Sequence, residues 1–123
     1  MHEFSVTIGI VKTVIQAAEH NNAKKIKSVK LLIGKLTHLS KDQVRFCYEV
    51  LIKDTILENS ELLIQTRNPK VYCSNCRYKG KMGTKRNQKT GFHTFSLVCP
   101  KCSEQTKIIE GLECTIKGIR VEK

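Results

Sequence analysis

Two C-x-x-C pairs carry the strongest chemistry in this chain: Cys73-Ser-Asn-Cys76 and Cys99-Pro-Lys-Cys102, with twenty-two residues between them. A two-residue interval lets a tight turn aim both sulfurs at one ion. Two such turns supply a tetrahedron of soft thiolates, the ligand set that Zn²⁺ favours. Four thiolates fill that tetrahedron and leave no position for a substrate or an activated water, so the site reads as structural rather than catalytic. Two disulfides are the rival use of the same four thiols, and an intracellular compartment disfavours them. Lysines and arginines around the pairs favour thiolate over thiol.

Met1-His2-Glu3 offers a second donor set of different character. The α-amine, the amide nitrogen of His2 and its Nδ1 can close a five-membered and a six-membered chelate in one plane around one ion. Strong-field nitrogen donors so arranged suit square-planar Ni²⁺ or Cu²⁺ better than zinc. A helix starting immediately afterwards leaves its first amides without intrahelical partners, so deprotonating one for a metal breaks no helix bond. A residue as bulky as His2 favours retention of Met1. The plainer alternative is that a histidine beside the first methionine is an accident of position.

These residues must be held by the elements around them. Phe4 to Asn21 reads as a helix with Phe4, Ile8, Val11, Ile15 and Ala18 on one stripe, joined by Ile10, Val14 and Ala17. Ile26 to Leu36 reads as a strand that Gly34 ends or bulges. Ser40 opens a second helix with Gln43 three residues on, a capping box, and Val44, Cys47, Tyr48 and Leu51 form its apolar stripe. Glu61 to Arg67 alternates as a second strand, stopped at Asn68-Pro69. Glu113 to Glu122 reads as a third strand whose apolar phase slips at Gly118, where a bulge restores one face. That strand needs partners and is expected to rejoin the first two. The expected architecture is α/β: two helices and a small three-stranded sheet, with a zinc-ribbon-like domain inserted between strands two and three. Residues 1–69 plus 110–123 form one domain on this reading, and residues 70–109 the other. Cys47 and Cys114 lie on apolar stripes and read as small core residues. His20 and His38 read as surface or capping residues.

Length and charge narrow the function. The chain has 123 residues, 40% of them hydrophobic, enough for one modest core and too few for a large enzyme cleft. No apolar run is long enough to span a bilayer and no basic-then-apolar signal pattern opens the chain, so a cytoplasmic location is expected. Twenty-two cationic and eleven acidic residues give a net charge of +11. From Lys70 to Lys107 nine cations face Glu104 alone, a net +8, which four zinc-bound thiolates would lower to +6. Lys79 to Gly91 is basic and punctuated by glycine, and reads as a hairpin tip or loop: a solvated surface, or a contact for an acidic partner or RNA, with Tyr78, Phe92 and Phe95 available for stacking. A zinc-ribbon nucleic-acid binder is therefore the competing function. A metal-dependent enzyme has no support: there is no H-E-x-x-H, no phosphate-binding glycine loop and no Ser/His/Asp set.

Met1-His2-Glu3-Phe4-Ser5 opening an amphipathic helix, α/β alternation, C-x-x-C twice and a closing Ile116-Lys-Gly-Ile119-Arg-Val121-Glu122 strand resemble the HypA/HybF family of hydrogenase nickel-insertion accessory proteins. The resemblance spans essentially the whole chain. It implies a nickel domain of two helices on a small three-stranded mixed sheet carrying a four-cysteine zinc domain, with His2 as a nickel ligand, Glu3 beside it helping binding or transfer, and Cys73, Cys76, Cys99 and Cys102 as zinc ligands. It also implies Ni²⁺ as cargo for immature [NiFe]-hydrogenase, and in some members for urease, delivered with a nickel-binding maturation GTPase. On this reading the protein is a carrier and not an enzyme, works as a monomer or weak homodimer, and needs neither membrane nor nucleic acid. The interval between the cysteine pairs is longer than in many bacterial members. His93, six residues before Cys99 in that longer loop, can fold back as a fourth donor at the His2 site; the alternative is a solvated loop histidine.

Overall fold

The computed structural model describes residues 2–123. Helix α1 (Glu3–His20) leads into strand β1 (Lys25–Gly34), a single 3₁₀ turn (Lys35–Thr37), helix α2 (Lys41–Leu51) and strand β2 (Glu61–Arg67). Five short strands follow: β3 (Lys70–Tyr72), β4 (Lys79–Lys81), β5 (Gly83–Arg86), β6 (His93–Ser96) and β7 (Lys107–Glu110). Strand β8 (Cys114–Glu122) closes the chain. The order β2-β1-β8 makes the expected mixed sheet, with β1 parallel to β2 and antiparallel to β8.

Strand β1 is central and supplies Ile26, Val29, Leu31 and Ile33 to a core completed by Val11 and Val14 of α1, Val44 and Tyr48 of α2, Leu57 and Leu62. The β8 bulge falls where the phase slip placed it: Lys30 pairs Gly118 but Leu31 pairs Ile116, leaving Lys117 as the extra residue. Ile116, Ile119 and Val121 therefore all pack against the core.

Two side-chain expectations need correction. The buried face of α1 runs through Glu3, Thr7, Ile10, Val11, Val14 and Ala18, not through Phe4, which is 54% exposed. Apolar residues occur all round this helix, so period alone did not select its inward face. Thr7 is tolerated inside because its hydroxyl donates to the Glu3 carbonyl at 2.6 Å. Cys114 is exposed rather than buried, since it lies at the very start of β8; Cys47 is buried as expected.

The insert forms a second sheet, β4-β3-β7, and a separate β5-β6 ribbon. The join between the two sheets is tight. Gly34 and Leu36 amides donate to the Glu113 and Gly111 carbonyls at 2.8 and 2.9 Å. Glu113 accepts from the Gly111 amide at 2.7 Å and pairs with Arg67 at 3.3 Å. Gly111 adopts φ +118°, and a Cβ on Gly34 would lie 2.1 Å from the Gly111 oxygen, so only glycine fits at both places.

Candidate functional site

The sulfurs of Cys73, Cys76, Cys99 and Cys102 all lie within 4.8 Å of one another, and all four cysteines are free. Cys73 and Cys102 sulfurs are 3.5 Å apart, and those of Cys76 and Cys99 are 3.6 Å apart. A tetrahedron of thiolates about 2.3 Å from a zinc ion has edges of about 3.8 Å, whereas a disulfide requires about 2.05 Å. The donor set therefore fits a metal and does not fit two disulfides.

The same local fold builds both halves. In each pair the first cysteine's amide donates to the carbonyl five residues on: Cys73 to Tyr78 at 2.8 Å and Cys99 to Glu104 at 2.7 Å. The residue after each second cysteine is left-handed, Arg77 at φ 63° and Ser103 at φ 65°. That reversal turns two successive cysteines inward from one short loop. Val71, Met82 and Thr106 of the same module are buried, as are Cys73 and Cys99, and Thr106 is satisfied by donating to the Leu97 carbonyl at 2.6 Å.

The thiols do not share charge evenly. The Asn75 side chain and the Glu104 amide hold Cys102 down to about 6. Burial resists ionisation of Cys99, but the Cys102 and Lys101 amides outweigh it and lower the group. At Cys76 the Tyr78 amide favours the thiolate, yet burial and the three neighbouring sulfurs push it up to about 12. Four negative sulfurs this close need a cation among them, the part a divalent ion plays.

At the other end of the sequence, His2 is the N-cap of α1 and exposed, and its imidazole makes no capping bond. Its carbonyl accepts from the Val6 amide at 2.9 Å, so the helical ladder begins beyond the His2 nitrogen donors. Met1, the expected source of the α-amine ligand, lies outside the described residues. Glu3 is 8% exposed, and its Oε2 accepts from the Ser40 amide at 3.0 Å. The positive amino terminus first, and then the Ser40 amide, hold the Glu3 carboxyl down to about 2.

Ser40 caps α2 by accepting from the Gln43 amide at 3.3 Å, one half of the expected capping box. The other half differs: Glu3, thirty-seven residues upstream, takes the Ser40 amide that Gln43 was expected to satisfy. Glu3 thereby ties the start of α1 to the start of α2, a contact that no local spacing could signal. His93 is exposed on β6 opposite Arg86. Among the described residues, the four cysteines are the sole cluster of three or more potential metal-ligating side chains, and it includes none of His2, Glu3 and His93.

Two helices on one face of a mixed sheet, with a four-thiol ribbon-like insert before the last strand, define a metal-binding α/β protein. The chain belongs to the HypA family, described as hydrogenase/urease nickel incorporation metallochaperones, whose profile matches residues 1–121. The hydrogenase maturation factor HypA of Methanococcus maripaludis strain C7 is 32% identical over 128 residues, covering 99% of this chain and 96% of its own. That of Pyrococcus furiosus is 32% identical over 136 residues, covering 100% and 97%. The solution structure of the nickel metallochaperone HypA from Helicobacter pylori shares the fold, with a TM-score of 0.67 at 22% identity over 99% of this chain and 98% of that one. No helix among the described residues is long and apolar enough to cross a membrane.

Proposed function

We propose that this protein carries Ni²⁺ at its amino terminus and hands it to a [NiFe]-hydrogenase large-subunit precursor, or to urease, with a nickel-binding GTPase as partner. The carrying observation is the His2 imidazole, exposed and uncapped at the head of a helix whose next residue is anchored. The α-amine of Met1, the His2 amide and the His2 Nδ1 are the ligands. Glu3 fixes the direction in which they leave the helix, and His93 is the fourth donor when the β5-β6 ribbon folds back. Few ligands in one plane leave the faces of the ion open, so an incoming ligand bonds before an old one leaves. A closed cage would retain the ion.

Zn²⁺ is the resident ion of the Cys73, Cys76, Cys99 and Cys102 site, where it supplies folding energy to a module with few buried apolar side chains. The protein is a carrier and catalyses no bond change. It works in the cytoplasm as a monomer or weak homodimer. The exposure of His2 and the sulfur-to-sulfur distances support these two assignments separately.

Calorimetric titration with Ni²⁺ tests the nickel site. The untagged protein should bind one equivalent tightly. A copy extended at its amino terminus, or His2→Ala, should lose at least tenfold in affinity while retaining one zinc per chain. Unchanged nickel affinity in both would refute the amino-terminal assignment.

A further inference from the structure

The β5-β6 ribbon carries an open strand edge whose backbone neither proposed metal site uses; the nickel site would take only the His93 imidazole. The Asn87 amide donates to the Phe92 carbonyl at 2.8 Å, so the ladder bonds run through the Lys85–Thr94 and Gly83–Ser96 pairs. In an antiparallel pair the alternate residues then point the other way, and His93 and Phe95 aim amide and carbonyl away from β5. No third strand meets His93 or Phe95 among the described residues; just beyond them the edge is closed, where the Thr106 amide donates to the Leu97 carbonyl at 2.8 Å and Val98 bridges Gln105. Such an edge is a ready template for another chain.

The side chains around it are equally unpartnered. Phe92 is 73% exposed and Val98 51%, with Phe95 and Leu97 exposed between them. An apolar run of this kind on the surface marks a contact. From Arg77 to Lys101 there are seven cations and no carboxylate, and none of the seven is in an ion pair among the described residues.

We infer that the outer edge of β6 docks an extended acidic segment of a protein partner, which adds as a third strand and alternates apolar side chains with carboxylates. Charge complementarity selects an acidic ligand. Single-stranded RNA would use the cations and the aromatics, but it has no use for a row of outward amides and carbonyls. A peptide uses all three. Paired residues of β5 and β6 share a face, so Lys85 lies with Thr94 and meets the carboxylates, Phe95 lies on the opposite face and meets the apolar side chains, and the His93 and Phe95 backbones make the ladder. The inference holds with or without nickel, so its failure would leave the amino-terminal site untouched.

The probe is a fluorescent synthetic peptide alternating aspartate with valine, titrated into the zinc-loaded full chain and read by polarisation. Saturable one-to-one binding is expected, with slowed hydrogen exchange at the His93 and Phe95 amides. Methylating alternate amides of the peptide should weaken it at least tenfold, and so should the double substitution Lys85→Glu/Arg86→Glu, with zinc content unchanged. Phe95→Ala, which keeps the charge and the backbone, should weaken it at least threefold. Indifference to amide methylation would overturn the strand-addition claim. An oligouridine probe binding more tightly than the peptide at physiological salt would overturn it too, in favour of RNA.

Discussion

A carboxylate at the third position does two jobs of different reach. Glu3 accepts the Ser40 amide, and with the positive amino terminus nearby its carboxyl is held down to about 2. A carboxyl lowered on folding contributes stability that is fully present above its ordinary value of 4.5 and is lost as pH falls through about 2. Glu3→Gln should therefore lower Tm by about 4 °C at neutral pH, and the gap should narrow below about pH 4.5. Melting curves of the pair across pH check this; a gap independent of pH down to 2 would contradict it. The substitution should also weaken nickel binding less than His2→Ala, since in the proposed site Glu3 orients the ligands and is not one of them. The four cysteines were legible as a cluster because their spacing carries the geometry. Glu3 was not legible in its structural part, because its partner lies thirty-seven residues away and on another helix.

Among the elements, β2 spans Glu61–Arg67 as its alternation predicts, and α2 starts after Ser40 as its cap predicts. Local rules decide both. Period does not fix the inward face of α1, because Phe4, Ile8 and Ile15 offer a rival apolar stripe and packing against β1 and α2 decides between them. Strands β3 to β7 are three or four residues long and carry few apolar side chains, so no periodicity announces them. The turn that holds Cys73 and Cys76 joins β3 to β4, and the turn between Asn87 and Phe92 joins β5 to β6. The join between the sheets is equally silent in sequence, although Gly34 and Gly111 are its signature. Gly34→Ala would drive a methyl into the Gly111 carbonyl at 2.1 Å and should cost about 2–4 kcal/mol, seen as a lowered denaturant midpoint. A shift under about 0.5 kcal/mol would show that the join is loose.

At the scale of the molecule, the two proposed metal seats have opposite characters and belong to separate modules. The four-sulfur seat would be closed and give its module its shape; the seat proposed for nickel would be open, at the head of α1. Removing zinc with a chelator, or by Cys102→Ser, should therefore unfold the β4-β3-β7 sheet and the ribbon while the core around β1 stays protected. Hydrogen exchange separates the two: fast exchange at Cys73 and Cys99 amides with slow exchange at Val29 and Leu31 is the predicted pattern, and uniform loss of protection would mean one cooperative unit. Nickel is proposed to sit at the amino terminus and not on sulfur. X-ray absorption at the nickel edge, on untagged protein loaded with one equivalent each of zinc and nickel, distinguishes the two. Nitrogen donors including imidazole, with no sulfur bound to nickel, are the predicted result; sulfur scatterers around nickel would contradict it.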